Sequence, residues 1–357
     1  MTFVPYQLAS NDSNKWGWAP EEAFGYGTND SEGTQWDANA AGDTFYHLPI
    51  LPDESSFAIV RDQYEWSDHR SNSVDVKHSH ARAKKPISIT FSGKLLDLTW
   101  LHQLCDHCDT AGSDPYTHDT QQSDSRDNPP PSMVLWRKIW NDKNGGADES
   151  EYWLYFGCIV KSATITGVAS DGTINAQFTV LCARARKNGV ALTSEPTIPA
   201  KSAFIMQMLS VEAFDKGAVD YNYANVEQFV WSYQTDKRFL HSNSYYPVRS
   251  KLPDKVEHYI DLTISPMETD TYDDTQDLPN ASNDRNMQIR LTRSTNDYID
   301  FNFVDCQLRL MGESWNGGVL NQVIRAMYSG SDAGSPNYTI TEKNSYDDTR
   351  YADGVYT

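Results

Sequence analysis

The sequence predicts a mainly β fold with a few helices, of the α+β class, in which one β domain occurs twice in tandem. Apolar and polar residues alternate with period two in several segments, as they do in half-buried strands. The pair Asp171-Gly172 separates two such segments and is typical of a tight hairpin. The segment "YFGCIV" at 155–160 returns as "FVDCQL" at 303–308, among neighbours that also return in order.

Length, composition and charge limit the classes of protein to consider. The chain has 357 residues, of which 39% are apolar and 12% aromatic, which suits two packed cores and excludes a disordered chain. A formal net charge of −19 repels phosphate groups and argues against tight wrapping of nucleic acid. The acidity equally fits a role in solubility or a saline habitat. Five cysteines cannot all pair, so we expect buried free thiols in a soluble chain without a signal peptide or membrane span.

The segment "PISITFSG" predicts a strand with one apolar and one polar face. Ile87, Ile89 and Phe91 fall on the apolar face, and Ser88 and Thr90 fall on the other. We therefore expect the three apolar residues in the core of a domain.

The segment "HYIDLTIS" repeats this alternation in the second half of the chain. Ile260, Leu262 and Ile264 share one face, and Asp261 and Thr263 share the opposite face. The two segments are predicted to be equivalent strands.

One helix of three or four turns is predicted directly after the first of these strands. In "KLLDLTWLHQLCDHCD", Leu98, Leu101, Leu104, Cys105 and Cys108 recur at spacings of three and four. An amphipathic helix with both cysteines on its apolar side follows from this spacing.

A long polar loop is predicted over residues 109–131, which end in three prolines. Strands then resume in "SMVLWRKIW", "EYWLYFGCIVKSATITGV" and "TINAQFTVLCARAR", and later in "AFIMQMLSVEAF" and "NVEQFVWSYQT". The alternation places Cys158, Val160, Cys306 and Leu308 among the core candidates.

The order of the segments supports an internal repeat. "SMVLWRKI" at 132–139 corresponds to "NMQIRLTR" at 286–293, an offset of 154. The loop that follows has ten residues in the first copy and four in the second, so the offset should fall by six. Cys158 and Cys306 are indeed 148 residues apart. Because short strands also resemble each other by chance, coincidence stays the alternative.

Five regions follow from these patterns. Residues 1–60 form an N-terminal arm, 61–187 a first β domain with one helix, 188–202 a linker, 203–329 a second β domain and 330–357 a C-terminal arm. The arms and the linker are rich in turn-forming residues, so they carry little periodicity.

No pattern in the sequence predicts catalysis. The nearest approach to a metal site is "HQLCDHCD", where His102, Cys105 and Cys108 are weak zinc-ligand candidates. A second pair of ligands at suitable spacing is missing, so buried thiols are the simpler interpretation. Motifs for phosphate loops, nucleophilic serines and zinc proteases are absent. We expect a protein that is not an enzyme and needs no cofactor or metal.

Four stretches resemble the major tail tube proteins of tailed viruses, bacteriophage or archaeal, in a two-domain form. They are "EEAFGYGT" leading into "LPILPDESSFAIVRDQYEW", "ISITFSG" followed by a helix, "YFGCIVKSATITGVASDGTINAQFTVLCARAR", and "NVEQFVWSYQTDKRFLHSNSYYPVRSKLPDKVEHYIDLTIS". The resemblance extends from about residue 20 to 330 as a pattern of strands and loops. One departure is that no helix pattern follows "HYIDLTIS", so the two copies are not equivalent there.

The resemblance implies a structural virion protein built from two tail-tube-like β-sandwich or half-barrel domains. Such proteins form rings that stack into a tube through which genomic DNA passes to the host. Two domains per chain imply a trimeric ring, a pseudo-hexamer. Long loops and terminal arms, including the 109–131 loop, are the implied stacking contacts. The implied location is the tail of the virion, assembled in the host cytoplasm.

The resemblance also implies partners and site residues. Partners would be other copies of the chain, tape-measure and other tail proteins, and double-stranded DNA that passes without tight binding, but no membrane. Candidates for lining the lumen are Ser88, Thr90, Asp261 and Thr263. Candidates for the domain cores are Ile87, Ile89, Phe91, Cys158, Val160, Ile260, Leu262, Ile264, Cys306 and Leu308.

Two other functions remain open on the sequence. Ten Trp and twenty Tyr in a β-rich chain also suit a carbohydrate-binding β-sandwich surface protein. Another tail or baseplate component with the same domain would share the same patterns. Neither alternative involves catalysis.

Overall fold

A computed structural model describes most of the chain in segments. These are residues 14–21, 45–51, 56–60, 63–68, 78–84, 86–105, 108–120, 132–141, 149–188, 195–197, 199–216, 219–220, 226–240, 249–251, 255–265, 285–316, 319–327 and 338–346. The fold is mainly β, as predicted.

The first half of the chain contains eleven strands and one short helix. They are β1 (Asn14–Pro20), β2 (Ser56–Val60), β3 (Gln63–Asp68), β4 (His78–Lys84), β5 (Ile87–Lys94), α1 (Leu101–Cys105), β6 (Cys108–Ala111), β7 (Tyr116–Thr120), β8 (Met133–Asn141), β9 (Glu149–Val168), β10 (Ile174–Cys182) and β11 (Arg184–Asn188).

Ten further strands lie in the second half, after a 3-10 turn at Met206–Met208. They are β12 (Leu209–Lys216), β13 (Val219–Asp220), β14 (Val226–Thr235), β15 (Arg238–Leu240), β16 (Arg249–Lys251), β17 (Val256–Ile264), β18 (Arg285–Ser294), β19 (Asp297–Asn316), β20 (Val319–Met327) and β21 (Tyr338–Asn344). No helix among the described residues is long and apolar enough to cross a membrane.

An eight-stranded antiparallel sheet runs through both halves of the molecule. Its strand order is β2-β5-β10-β9-β14-β17-β20-β19. The first four strands come from the first half of the chain and the last four from the second half. The two groups meet where β9 pairs with β14, with Thr164 opposite Ser232.

Two smaller sheets cover one face of the eight-stranded sheet. The first covering sheet has the order β1-β8-β9-β11. The second covering sheet has the order β13-β12-β18-β19-β21-β7-β6. Edge-to-face and tilted aromatic contacts join the layers, as between Trp16 and Phe91 (centroids 5.0 Å apart) and between Phe229 and Phe301 (5.8 Å).

The long strands β9 and β19 belong to two layers at once. Each has 20 residues, with its N-terminal half in a covering sheet and its C-terminal half in the eight-stranded sheet. Cys158 is the tenth residue of β9, and Cys306 is the tenth residue of β19. Gly157, with a φ of +58° that favours glycine, directly precedes Cys158 where β9 changes layer. The repeated cysteine segments therefore occupy the same place in two similar strands.

The core is continuous across the two halves. Buried residues of both form a single hydrophobic cluster, which includes Trp18, Trp100, Phe178, Trp231 and Phe301. The division into two domains and their duplication stay predictions, although each half contributes four strands to the main sheet in a similar order. All five cysteines are buried, and none of them forms a disulfide.

The predicted helix of three or four turns is wrong in length. Among the described residues of this stretch, only Leu101–Cys105 are helical, and Cys108 begins strand β6. Leu95 instead forms an isolated bridge with Ile50, and the amide of Leu98 donates to the Glu342 carboxylate at 3.1 and 3.2 Å. The leucines at helical spacing are buried by contacts with distant parts of the chain. The backbone there bonds to those parts and does not form a longer helix.

The predicted loop at 109–131 is also wrong in its first part. Strands β6 and β7 form a hairpin around Gly112, which has a φ of +91°, and β7 then pairs with β21. The remainder, 121–131, lies outside the described residues. Both predicted arms also contain strands. In the N-terminal arm, β1 pairs with β8 and β2 pairs with β5. In the C-terminal arm, β21 pairs with β19.

Candidate functional site

The uncovered face of the eight-stranded sheet is the candidate functional site, and we call it the polar face. Alternation along each strand places hydroxyl and amide side chains there, opposite the buried apolar side chains. Its uncharged polar members include Ser88, Thr90, Ser92, Ser162, Thr164, Thr166, Asn175, Gln177, Thr179, Gln228, Ser232 and Gln234. Such side chains present donors and acceptors but no net charge.

The four lumen candidates lie on this face but do not form one cluster. Ser88 and Thr90 are on β5, and Thr90 Oγ1 lies 3.5 Å from Thr179 Oγ1. Asp261 and Thr263 are on β17, four strand positions away. At about 4.8 Å per strand, roughly 19 Å separates the two pairs. All four side chains are half-buried.

The core candidates lie on the opposite, covered side of the sheets. Ile87 is half-buried and packs against the hydrophobic cluster. The other nine are buried: Ile89, Phe91, Cys158, Val160, Ile260, Leu262, Ile264, Cys306 and Leu308.

An ion pair neutralises the one acidic lumen candidate. Arg325 on β20 lies opposite Asp261 and donates two hydrogen bonds of 2.6 Å to its carboxylate. The guanidinium carbon also lies 3.9 Å from the centroid of the Tyr259 ring. The hydrogen bonds to Asp261 raise the pKa of Arg325 further. Sequence reasoning missed Arg325, although it alternates with buried Ile324 and Ala326 in "VIRAM".

The polar face carries little net charge, in contrast to the whole chain. Its charged side chains among the described residues include Lys94, Glu227, Glu257, Asp261, Arg309 and Arg325. Glu257 forms an exposed ion pair with Lys255, and the hydrogen bond from Lys255 lowers the pKa of Glu257. With its charges few and mostly compensated, the face neither attracts nor strongly repels phosphate groups.

A shallow groove near the middle of the polar face has the same character. It is lined by Ser92, Thr164, Thr166, Asn175 and Gln177, together with two small residues. None of the described residues that line it is charged. Such a groove offers hydrogen bonds without the cations that hold nucleic acid in place.

The two edge strands of the eight-stranded sheet, unlike the polar face, carry exposed large apolar side chains. Within the described ranges, no strand pairs with the outer side of β2 or of the C-terminal half of β19. The exposed large hydrophobic residues among the described side chains all lie on these two strands: Val60 (61% exposed), Val304 (39%), Met311 (50%) and Trp315 (75%). Unpaired edges with apolar side chains are sites where another strand can add.

The weak zinc candidates do not form a metal site. His102 is buried in α1, with Nδ1 2.7 Å from the carbonyl oxygen of Thr99, and burial lowers its pKa to about 4. Cys105 and Cys108 are buried in two different elements. Among the described residues, no group of three His, Cys, Asp or Glu side chains could hold a metal ion.

Comparison with known proteins does not identify the chain. No protein-family model matches its sequence, and no curated protein matches it.

Proposed function

We propose that the protein is a structural virion protein, the subunit of a tail tube. In this role, copies of the chain close into rings, and the rings stack around a lumen through which double-stranded DNA passes. The polar face lines the lumen, and the two covering sheets face outward. No catalysis is needed.

The observation that carries the proposal is the join between β9 and β14. There the last strand of the first group of four pairs with the first strand of the second group. The equivalent strands of the two groups, β19 and β2, have no partner on their outer sides among the described residues. If a second copy placed its β2 beside β19 of the first, the two copies would form a strand pair like the β9–β14 pair within one chain. Repetition of one head-to-tail contact closes a ring when the rotations between successive copies add up to a full turn.

The side chains at the open edges support this assembly. Met311 and Trp315 on β19 and Val60 on β2 are exposed in the isolated chain, where they contact water. Joining the edges would bury them and would satisfy the unpaired backbone groups of both strands. Closure into a barrel removes sheet edges altogether.

The ring would contain three copies. Each chain supplies two groups of four strands, so three chains supply six groups, the pseudo-hexamer expected from the sequence. Stacking of rings, contact with a tape-measure protein and assembly in the host cytoplasm belong to the same proposal.

The chemistry of the polar face supports DNA passage. Double-stranded DNA carries one negative charge per ~1.7 Å, so a basic lining would bind it and slow its movement. Hydroxyl and amide groups in a nearly neutral surface hold phosphate weakly. A lumen of this kind would account for a face that is polar yet carries little net charge.

Electron microscopy of the purified chain at rising concentration tests the proposal. We expect rings or hollow tubes above a threshold concentration. Compact monomers at every concentration would contradict it and would favour a binding module instead.

A further inference from the structure

The thiols of Cys158 and Cys182 meet in the core of the first half of the chain. Strands β9 and β10 are antiparallel, and Leu181 lies opposite Ile159 at the end of their pairing. The next residue of β10 is Cys182, and the preceding residue of β9 is Cys158. Strand β11 continues along β9 in the same register. This register places the two cysteines directly opposite each other.

Both cysteine side chains lie on the same side of the two strands. Each is fully buried in the large hydrophobic cluster. Their neighbours Ile159 and Ala183 belong to a different cluster, on the other side of the strands. Burial, and after it a hydrogen bond with Cys182, raise the pKa of the Cys158 thiol. The two sulfur atoms are therefore within hydrogen-bonding distance of each other.

The geometry of an antiparallel pair suits a bond between these sulfur atoms. Residues directly opposite each other have Cα atoms about 4.5–5.5 Å apart, and a disulfide needs Cα atoms roughly 4.4–6.8 Å apart. Within the described strands, Cys108 and Cys306 lie opposite residues of other types, and Cys105 lies in α1. Cys158 and Cys182 are thus the two cysteines whose backbone positions suit a disulfide.

We propose that Cys158 and Cys182 form a redox modification site, at which a peroxide oxidises the two thiols to a disulfide. One cysteine thiolate attacks a peroxide oxygen, the O–O bond breaks, and a sulfenic acid and hydroxide form. The second thiol attacks the sulfenic sulfur, so that the S–S bond forms and water leaves. Two thiols and one hydrogen peroxide give one disulfide and two molecules of water. The inference goes beyond the proposed function and does not depend on it.

The fold controls when this reaction can occur. Because both thiols are buried and the pKa of Cys158 is raised, the closed fold presents little thiolate to an oxidant. Cys182 is the last residue of β10, so local opening where β10 gives way to β11 would admit peroxide. A reducing cytoplasm keeps the pair reduced, and an oxidising medium allows slow oxidation.

The disulfide would fix the place where β9 changes layer. Cys158 directly follows Gly157, whose amide donates to the buried Glu21 carboxylate at 2.8 Å. A bond to Cys182 would tie this point covalently to β10 and would close the segment 159–181 into a loop. Closing a loop reduces the freedom of the unfolded chain, so the oxidised protein should be more stable.

Thiol counting and mass spectrometry test the site. The reduced full-length chain is treated with hydrogen peroxide, both without urea and in urea below the unfolding midpoint, and the remaining thiols are alkylated after denaturation. We expect three of the five thiols to remain, with one linked pair of peptides that contain Cys158 and Cys182. Five remaining thiols under both conditions, a link between other cysteines, or a sulfinic acid at either cysteine without a link would overturn the proposal.

Matched variants and a stability measurement make the test specific. Cys306→Ala removes an equally buried cysteine and should still lose two thiols, whereas Cys182→Ala should lose none. The treated parent chain should unfold at a temperature roughly 3–8 °C above that of the reduced chain, and a reductant should remove the difference. Equal loss of thiols in the two variants would overturn the pairing. Because the count in the parent chain needs no substitution, a variant that fails to fold leaves the test intact.

Discussion

At the scale of single residues, His258 shows how a polar group is placed in this core. Its ring lies 4.4 Å from the centroid of Tyr338 and 4.7 Å from that of Phe303. Trp231 donates its indole N–H to His258 Nε2 at 2.9 Å. Burial lowers the pKa of His258 to about 3, so the imidazole is neutral at pH 7. A neutral ring is the form that accepts this hydrogen bond.

Acid should destabilise the fold through His258. The pKa is about 3 in the folded chain and about 6.5 in the unfolded chain, so the unfolded chain binds more protons between these values. Stability is therefore lost as the pH falls from 6.5 towards 3, by on the order of 4 kcal/mol from this group. Urea unfolding at a series of pH values measures the loss. In His258→Phe the slope should be smaller; equal slopes in the two proteins would contradict the assignment.

Lys237 should stabilise the fold although it is a charged residue in a buried position. It is 1% exposed, and its ammonium group satisfies two carbonyl oxygens of α1. Lys237→Met removes both hydrogen bonds and should lower the free energy of unfolding by about 1–3 kcal/mol. Lys255→Met, at a fully exposed lysine, is the matched control and should leave urea unfolding unchanged. An unchanged midpoint for both variants would show that the carbonyl groups find other donors.

At the scale of elements, alternation predicted strands better than it predicted the segments between them. β5, β9, β10 and β17 follow their period-two patterns because one side of each is buried and the other is polar. The short strands β6 and β7 carry polar sequences, CDTA and YTHDT, without an apolar pattern. Strand β7 pairs with β21, more than 200 residues away in sequence, and β6 pairs with β7. The pairing with β21 is a tertiary effect that local reasoning does not detect.

The edge strand β19 should control assembly without affecting the fold. Trp315 is 75% exposed, and a buried aromatic side chain contributes through the apolar area it removes from water. Trp315→Lys should raise the threshold concentration for rings at least about tenfold, since about 1.4 kcal/mol lost per contact gives that factor. Light scattering against concentration measures the threshold. Ser170→Lys in the exposed β9–β10 turn is the control, and an equal threshold for both variants would contradict the role of this edge.

At the scale of the whole molecule, the polar face combines hydrogen-bonding side chains with little net charge, which is what the proposed passage of DNA would require. The described charges of that face nearly balance, so the described part of the face contributes little to the net charge of −19 of the whole chain. Sequence reasoning found the polar side of β5 and β17. It did not find Arg309 and Arg325, because the pairing of β20 with β17 and β19 places them there.

Added cations on the polar face should convert it into a DNA-binding surface. Asn175 and Gln177 are exposed on β10, so Asn175→Arg with Gln177→Arg introduces two charges without disturbing the core. Assembled variant tubes should retain double-stranded DNA at 0.1 M salt and release it as salt rises, whereas the parent should not retain it. Gel-shift measurements check this. Ser170→Arg is the control outside the face, and equal retention by all three proteins would contradict the assignment of the lumen.

The central claim is that the two halves of one chain take successive places around a ring. Single-particle electron microscopy of assembled rings tests it most directly, together with their mass. The account predicts threefold rings of three 40.4 kDa chains, in which six similar groups of strands surround the lumen. Rings of six chains, or particles in which the eight-stranded sheet is not continued from copy to copy, would contradict it.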